Sequence, residues 1–119
     1  MKQRDIENRI FPLISGLDIP VIAIDSHFPG IHYISHSNYE SITEMVKHLR
    51  EKHHVKSFAY FGGPKGTYEA DVRKQAYEDA IKDFGLSLED NPSLDGNYEA
   101  ISGSENLKRL LEERGKLPE

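Results

Sequence analysis

Two runs of this chain, Ile19-Pro20-Val21-Ile22-Ala23-Ile24 and Ser57-Phe58-Ala59-Tyr60-Phe61, are apolar at nearly every position and show no alternation with polar residues. A strand with one wet face alternates. A run that does not alternate suits a strand buried on both faces, as in a parallel sheet covered by helices. The stretches between such runs have helical spacing: Ile42, Met45, Val46 and Leu49 in one, and Ala76, Tyr77, Ala80, Ile81 and Phe84 in the next. Strand and helix signals alternate about once per 30 residues, the spacing of a βαβ unit. The fold class is therefore α/β, a parallel sheet flanked by helices.

Local signals place the boundaries. Residues 2–15 read as a helix with Ile6, Ile10 and Leu13/Ile14 on one face, kinked or shortened by Pro12 and stopped at Gly16. Strand 19–24 is followed by the Pro29-Gly30 turn and a short strand at 31–35. Ser37 and Glu40, three residues apart, read as a capping box opening a helix that runs to about His53. Strand 57–61 leads through the Gly62–Gly66 loop to a helix over 68–84 that Gly85 ends. Asp90-Asn91-Pro92 is a turn and 93–96 a weak strand. A last helix over 103–114 carries Leu107, Leu110 and Leu111 and stops at Gly115.

Composition removes several functions. The net charge of −5 lacks the basic patch that a nucleic-acid surface needs. There is no cysteine, so disulfides and thiolate metal sites are excluded. No apolar run approaches the ~18 residues of a membrane span. The opening Met1-Lys2-Gln3-Arg4-Asp5 lacks the apolar stretch of a signal peptide, and a soluble, cytoplasmic protein is expected. Gly62-Gly63-Pro64-Lys65-Gly66-Thr67 lacks the Gly-Lys-Ser/Thr ending of a phosphate loop. None of the six histidines sits in a His-Glu-x-x-His pattern, and neither a metal nor a cofactor is expected. His53 and His54, at a helix end, read as a favourable dipole contact. No nucleophile elbow or Ser-His-Asp set is legible. The reading is a binding module, not an enzyme. From fold pattern alone a flavodoxin-like nucleotide-handling enzyme is the competing class, and it would call for a phosphate loop or an acid/base pair.

Three loops begin where strands end: at Asp25, at Gly62-Gly63-Pro64 and at Asn97-Tyr98. In open parallel sheets the ligand crevice lies outside the carboxyl ends of the strands. If the strands are neighbours, these positions face one cleft, and Arg73, in the second turn of the 68–84 helix, reaches it. A carboxylate and a guanidinium suit paired hydroxyls, and an aromatic ring covers the apolar face of a sugar. Plainer roles compete. Asp25 is also a turn residue, Arg73 has Glu69, Asp71 and Lys74 around it as on a solvated face, and Tyr98 could be partial core.

The ordered set of segments resembles the effector-binding domain of the LacI/GalR family, a type I periplasmic-binding-protein fold. The resemblance is carried by Ile19–Asp25, then Tyr33-Ile34-Ser35-His36-Ser37-Asn38, then the helix ending in His48-Leu49 and His53. It continues through Lys56–Pro64, Arg73 nine residues later, and Gly96-Asn97-Tyr98 before Ser102-Gly103. It implies that Asp25 is the acidic cleft residue of the N-terminal subdomain and Arg73 the arginine that binds effector hydroxyls or carboxylates. Tyr98, beside Asn97, falls where many members stack an aromatic on a sugar. It also implies that residues 1–35 belong to the N-terminal subdomain and 36–119 to the C-terminal one, with the first crossover near Ser35-His36-Ser37. The family's helix-turn-helix does not occur here, so no direct DNA contact is expected from this segment. On the resemblance the chain is an internal piece, about two-fifths of a sensor domain of roughly 270 residues. The implied function is sensing of a sugar-like effector for a bacterial transcriptional regulator acting as a homodimer. The Gly-Pro-Lys-Gly-Thr-Tyr-Glu-Ala-Asp-Val-Arg loop also resembles sensor regions fused to diguanylate cyclase (GGDEF) or AraC-type output domains.

Overall fold

Helix α3 (Tyr68–Asp83) is the element around which the chain packs, because its buried face is built from small residues. Ala70, Ala76, Tyr77, Ala80 and Ile81 are all buried, and the alanines let α2 (Asn38–Lys52) lie close against it. Val46 of α2 meets Phe58, Tyr77, Ala80 and Ile81 in one core, rimmed by Ile42, Leu49, Val55, Tyr60, Phe84, Leu86 and Leu88. α3 ends as its sequence predicts. Gly85 adopts φ +72, its amide donates to the Lys82 carbonyl, and the Leu86 amide donates to the Ile81 carbonyl. This pair of bonds is a Schellman motif, which satisfies carbonyls the helix leaves open, and it needs a left-handed residue that glycine supplies without strain.

This architecture comes from a computed structural model that describes residues 8–25 and 27–115. Within them the order is α1 (Phe11–Ser15), β1 (Ile22–Ile24), β2 (His32–Ile34), α2, β3 (Tyr60–Phe61), α3, β4 (Ser93–Leu94) and α4 (Ala100–Arg114). Both strand pairings are parallel, as expected. They form two separate pairs, however: β1 with β2 in the register Ile22–His32, Ala23–Tyr33 and Ile24–Ile34, and β3 with β4. The condition under which 19–24 and 57–61 would face one cleft as sheet neighbours is not met, since they lie in different pairs. The radius of gyration of 17.4 Å exceeds the ~13.5 Å of a compact globule of this length, so the chain is elongated.

Each strand is shorter than its apolar run. Double-sided burial is also corrected for β1: Ile22 and Ile24, two apart and so on one face, are 61 % and 73 % exposed. The helix expected at 2–15 lies partly outside the described residues; within them residues 8–9 are helical, Ile10 is a turn, and Phe11–Ser15 is helical with Pro12 in its first turn. Ser37 takes the N-cap position of α2, but its side chain makes no capping bond, so the expected capping box is not formed. Met45 turns outward, and in α4 only Leu110 of the three leucines is buried. α4 starts at Ala100, three residues before the expected boundary.

Two polar contacts hold this body together. The buried Asn91 accepts from the Phe58 amide at 2.8 Å, donates to the Ser87 carbonyl at 2.9 Å, and its own carbonyl accepts from the Tyr77 hydroxyl at 2.9 Å. Burial pushes the Tyr77 hydroxyl's pKa upward, so it stays a donor. At the surface, the Tyr39 hydroxyl of α2 donates to Asp79 of α3 at 2.5 Å, and Gln75 donates to the other oxygen at 2.8 Å.

Asn91→Ala leaves the buried Phe58 amide without its partner, while the Ser87 carbonyl keeps the Asn91 backbone amide, and it should lower stability by about 1–3 kcal/mol in urea unfolding. The exposed Glu44→Ala, which removes no such bond, should change it by less than about 0.5 kcal/mol. The Tyr39 hydroxyl, followed by the Gln75 amide, holds the Asp79 carboxyl below the usual carboxylate range. Its contribution is present above the unfolded value of about 3.9 and is lost as pH falls through the lower folded value. The gap in thermal midpoint between the parent chain and Tyr39→Phe should therefore be constant above about pH 5 and shrink below about pH 4. A gap that is the same at both ends would remove the linkage.

Candidate functional site

The carboxyl ends of β3 and β4 open into a cavity of about 440 Å³ bounded by Tyr60–Gly63, Arg73, Tyr98 and the start of α4. Arg73 is only one-third exposed, not a solvated face residue. Its Nε donates to Asn38 Oδ1 at 3.0 Å, and its Nη2 lies 3.6 Å from Glu69 Oε2, one turn earlier. The guanidinium is thus oriented from two sides before any ligand arrives. Glu69 Oε1, sealed from solvent, has no hydrogen-bond partner.

Tyr98 sits at φ +66, a left-handed backbone that a bulky residue rarely adopts. Its ring lies over Gly63: a Cβ added there would come within 2.4 Å of Tyr98 Cζ. Gly63 is therefore the seat of the aromatic ring. Asn97, beside it, does not line the cavity. Its Oδ1 accepts from the Glu99 amide at 2.9 Å, an Asx turn leading into α4, and its own amide donates to Ser102 Oγ at 3.3 Å.

Asp25 also lies outside this cavity, just past the end of β1. It has φ +54, and its amide extends the β1–β2 ladder by donating to Ile34 O at 2.8 Å. Its Oδ1 is 3.2 Å from Nδ1 of His36, which follows β2. One ligand atom each from Asp25, His36 and Glu69 lies within 4.8 Å of the others, so the β1–β2 side and the start of α3 converge. The His27 ring, against Tyr33 and stacked on Tyr68 at 5.9 Å, joins the same two parts. The end of β1 and the start of α3 thus approach each other at Asp25, His36 and Glu69, while the cavity itself is lined by Arg73 and Tyr98 and by none of these three.

Sequence reasoning named Asp25, Arg73 and Tyr98 and missed Asn38, His36 and Glu69 as their partners. Only Glu69 had a sequence signal, its four-residue spacing from Arg73. In the Gly62–Thr67 loop the Gly66 amide is bound by both Asp71 carboxylate oxygens, at 3.1 and 3.2 Å, which opposes an anion there. His53 caps α2, as read, and its Nε2 is 3.0 Å from that of His48.

Two parallel pairs flanked by helices make an α/β fold whose β3–β4 strand ends open into a cavity. No family model and no curated protein matches the chain in sequence. Solved structures do match. A dimeric Lac repressor with an 11-residue C-terminal deletion has a TM-score of 0.78 at 18 % identity, over 99 % of this chain and 41 % of its own. A probable LacI family transcriptional regulator from Corynebacterium glutamicum has 0.72 at 21 %, over 92 % and 42 %. A periplasmic binding protein/LacI transcriptional regulator from Alkaliphilus metalliredigens QYMF, complexed with D-xylulofuranose, has 0.63 at 19 %, over 85 % and 46 %. The fold is that of LacI/GalR-type effector-binding domains, and the chain spans less than half the length of these structures.

If Gly63 seats the Tyr98 ring, Gly63→Ala meets the far end of an exposed side chain and should cost about 0.5–1.5 kcal/mol by forcing that ring off its rotamer. In a Tyr98→Ala background the same change should cost almost nothing, a coupling that a double-mutant cycle in urea reads directly. Equal costs in both backgrounds would free Tyr98 from that glycine.

Proposed function

We propose that this chain is part of the effector-sensing domain of a LacI-type transcriptional regulator, a cytoplasmic binding module and not an enzyme, whose effector is a sugar or similar small polyol. The observation that carries the reading is the pre-set Arg73. It projects into the cavity at the strand ends, is oriented by Asn38 and Glu69, and faces an aromatic ring held on a glycine. Orienting donors in advance lowers the ordering cost of binding, and an aromatic face with nearby donors suits the two surfaces of a sugar ring. The sugar seen with the Alkaliphilus structure supports the same ligand class.

On this reading residues up to 35 belong to the N-terminal subdomain and those from 36 to the C-terminal one. Asp25 approaches the effector from the first, and Arg73 and Tyr98 from the second. Asn97 shapes the backbone that presents Tyr98. Closure of the two halves on the effector is the change a regulator would pass on to its DNA-binding part. The positive φ values of Asp25 and Tyr98 fit, since strained backbone gathers at ligand sites. The open face of β1 supports a longer protein around this segment, and the dimeric repressor supports a homodimer.

In the longer protein, a thermal-shift screen against neutral sugars should find a stabilising ligand. Calorimetry should then show Arg73→Ala weakening that ligand by about 1.5–3 kcal/mol, the worth of hydrogen bonds to a charged donor, or about ten- to a hundredfold. Unchanged affinity would return Arg73 to a structural role.

A further inference from the structure

We infer that Asp25, His36 and Glu69 form a binding site for a divalent transition-metal ion of the zinc class. The three residues come from separate segments: the end of β1, the stretch after β2, and the first turn of α3. No local metal motif announces them, which is why the sequence alone gave no such site.

Three features carry the inference. The first is donor chemistry. One imidazole nitrogen and two carboxylates make a mixed nitrogen–oxygen set that suits zinc, and imidazole disfavours calcium and magnesium. The second is geometry. Ligand atoms at about 2.0–2.1 Å from a tetrahedral zinc stand about 3.3 Å apart. Asp25 Oδ1 and His36 Nδ1 already stand 3.2 Å apart, and no separation in the trio exceeds 4.8 Å. Glu69 has to close in by at most about 1.5 Å, within reach of a side-chain rotation.

The third feature is Glu69 Oε1. It is a carboxylate oxygen shielded from water, without a donor, in a body whose other buried side-chain polar atoms, among the described residues, all have partners. A buried acceptor without a partner is costly and is rare in folded proteins. Arg73 does not remove this need, because its Nη2 is on the other oxygen, Oε2. Two carboxylates, Asp25 and Glu69, stand against the single Arg73 charge beside them, which favours a cation over an anion here. Three protein ligands leave positions for water or for the hydroxyl oxygens of a ligand, as in open metal sites. The inference does not depend on the sugar reading, because it concerns this chain and a bare ion.

The test is calorimetric titration of the chelator-treated chain with zinc chloride alone, in a buffer that does not bind zinc. One ion should bind per chain at this site, and Glu69→Gln and His36→Ala should each weaken it at least about tenfold, since each removes a ligand. The His48–His53 pair is the control, being the other place where histidine nitrogens meet among the described residues. His48→Ala should leave the site intact, and calcium chloride should give no comparable binding. His36 is exposed, so His36→Ala decides the matter should Glu69→Gln disturb the fold. Cobalt(II) substitution should give an absorption band that His36→Ala abolishes. No binding, binding that survives both ligand substitutions, loss in His48→Ala, or equal binding of calcium would each overturn the inference.

Discussion

The burial of α3 is the constraint on which the rest of the structure depends. Its core face is mostly alanine, which fixes how near α2 can come, and Tyr77 and Ile81 then fill the space to Phe58 and Val46. Interiors of this kind are packed too tightly to let a helix rotate or slide by a fraction of a turn. The backbone positions from which the side chains of the first two turns of α3 project are therefore set by the core. Glu69 and Arg73 are those side chains. Arg73 is three residues from Ala70 and four from Tyr77, on the flank of the buried face. That phase, not its charge, explains why the guanidinium reaches a half-buried position beside Asn38.

The same phase argument shows what could be read from the sequence. The helices were legible because their apolar spacing persists over three or four turns, and Gly85 and Gly115 mark their ends. Strand lengths were not legible. An apolar run tells where a strand can lie, but its length depends on how many residues find a pairing partner, which is a tertiary matter. Burial of β1 on both faces failed for a related reason: apolar composition states what a face requires, not whether the described chain supplies it. Met45, Leu107 and Leu111 fit the helical stripes but lie beyond the width that α3 and the strand pairs cover.

For the candidate site, the rule that ligand residues follow the carboxyl ends of strands named Asp25, Arg73 and Tyr98 from position alone; Arg73 and Tyr98 line the cavity and Asp25 lies outside it. The rule could not find their supports. Asn38 is 35 residues from Arg73, and His36 is 11 from Asp25 across a parallel pair. Contacts of that separation have no local signature. Asn97 shows the converse. A polar residue next to a site residue passes for a ligand group in sequence, whereas here its oxygen bonds the Glu99 amide two residues on and shapes the turn that gives Tyr98 its positive φ.

The two sides that approach at Asp25, His36 and Glu69 are held unequally. The α2–α3 side rests on a continuous core, while the β1–β2 side presents Ile22, Ile24 and Ile34 to solvent and is joined to the rest by few side-chain contacts. Among these are the His27 ring between Tyr33 and Tyr68, and the approach of Asp25 and His36 to Glu69. A small number of contacts between two internally ordered parts allows them to shift relative to each other at modest cost. A group bound across Asp25 and His36 on one side and Glu69 and Arg73 on the other adds its contacts only when the sides are close. By mass action it then favours the closed arrangement by the difference between its affinities for closed and open forms. On the proposed sensing role, the unequal distribution of the core, set by where alanine and the large apolar residues fall along 119 positions, is what would let the two sides respond to a bound group.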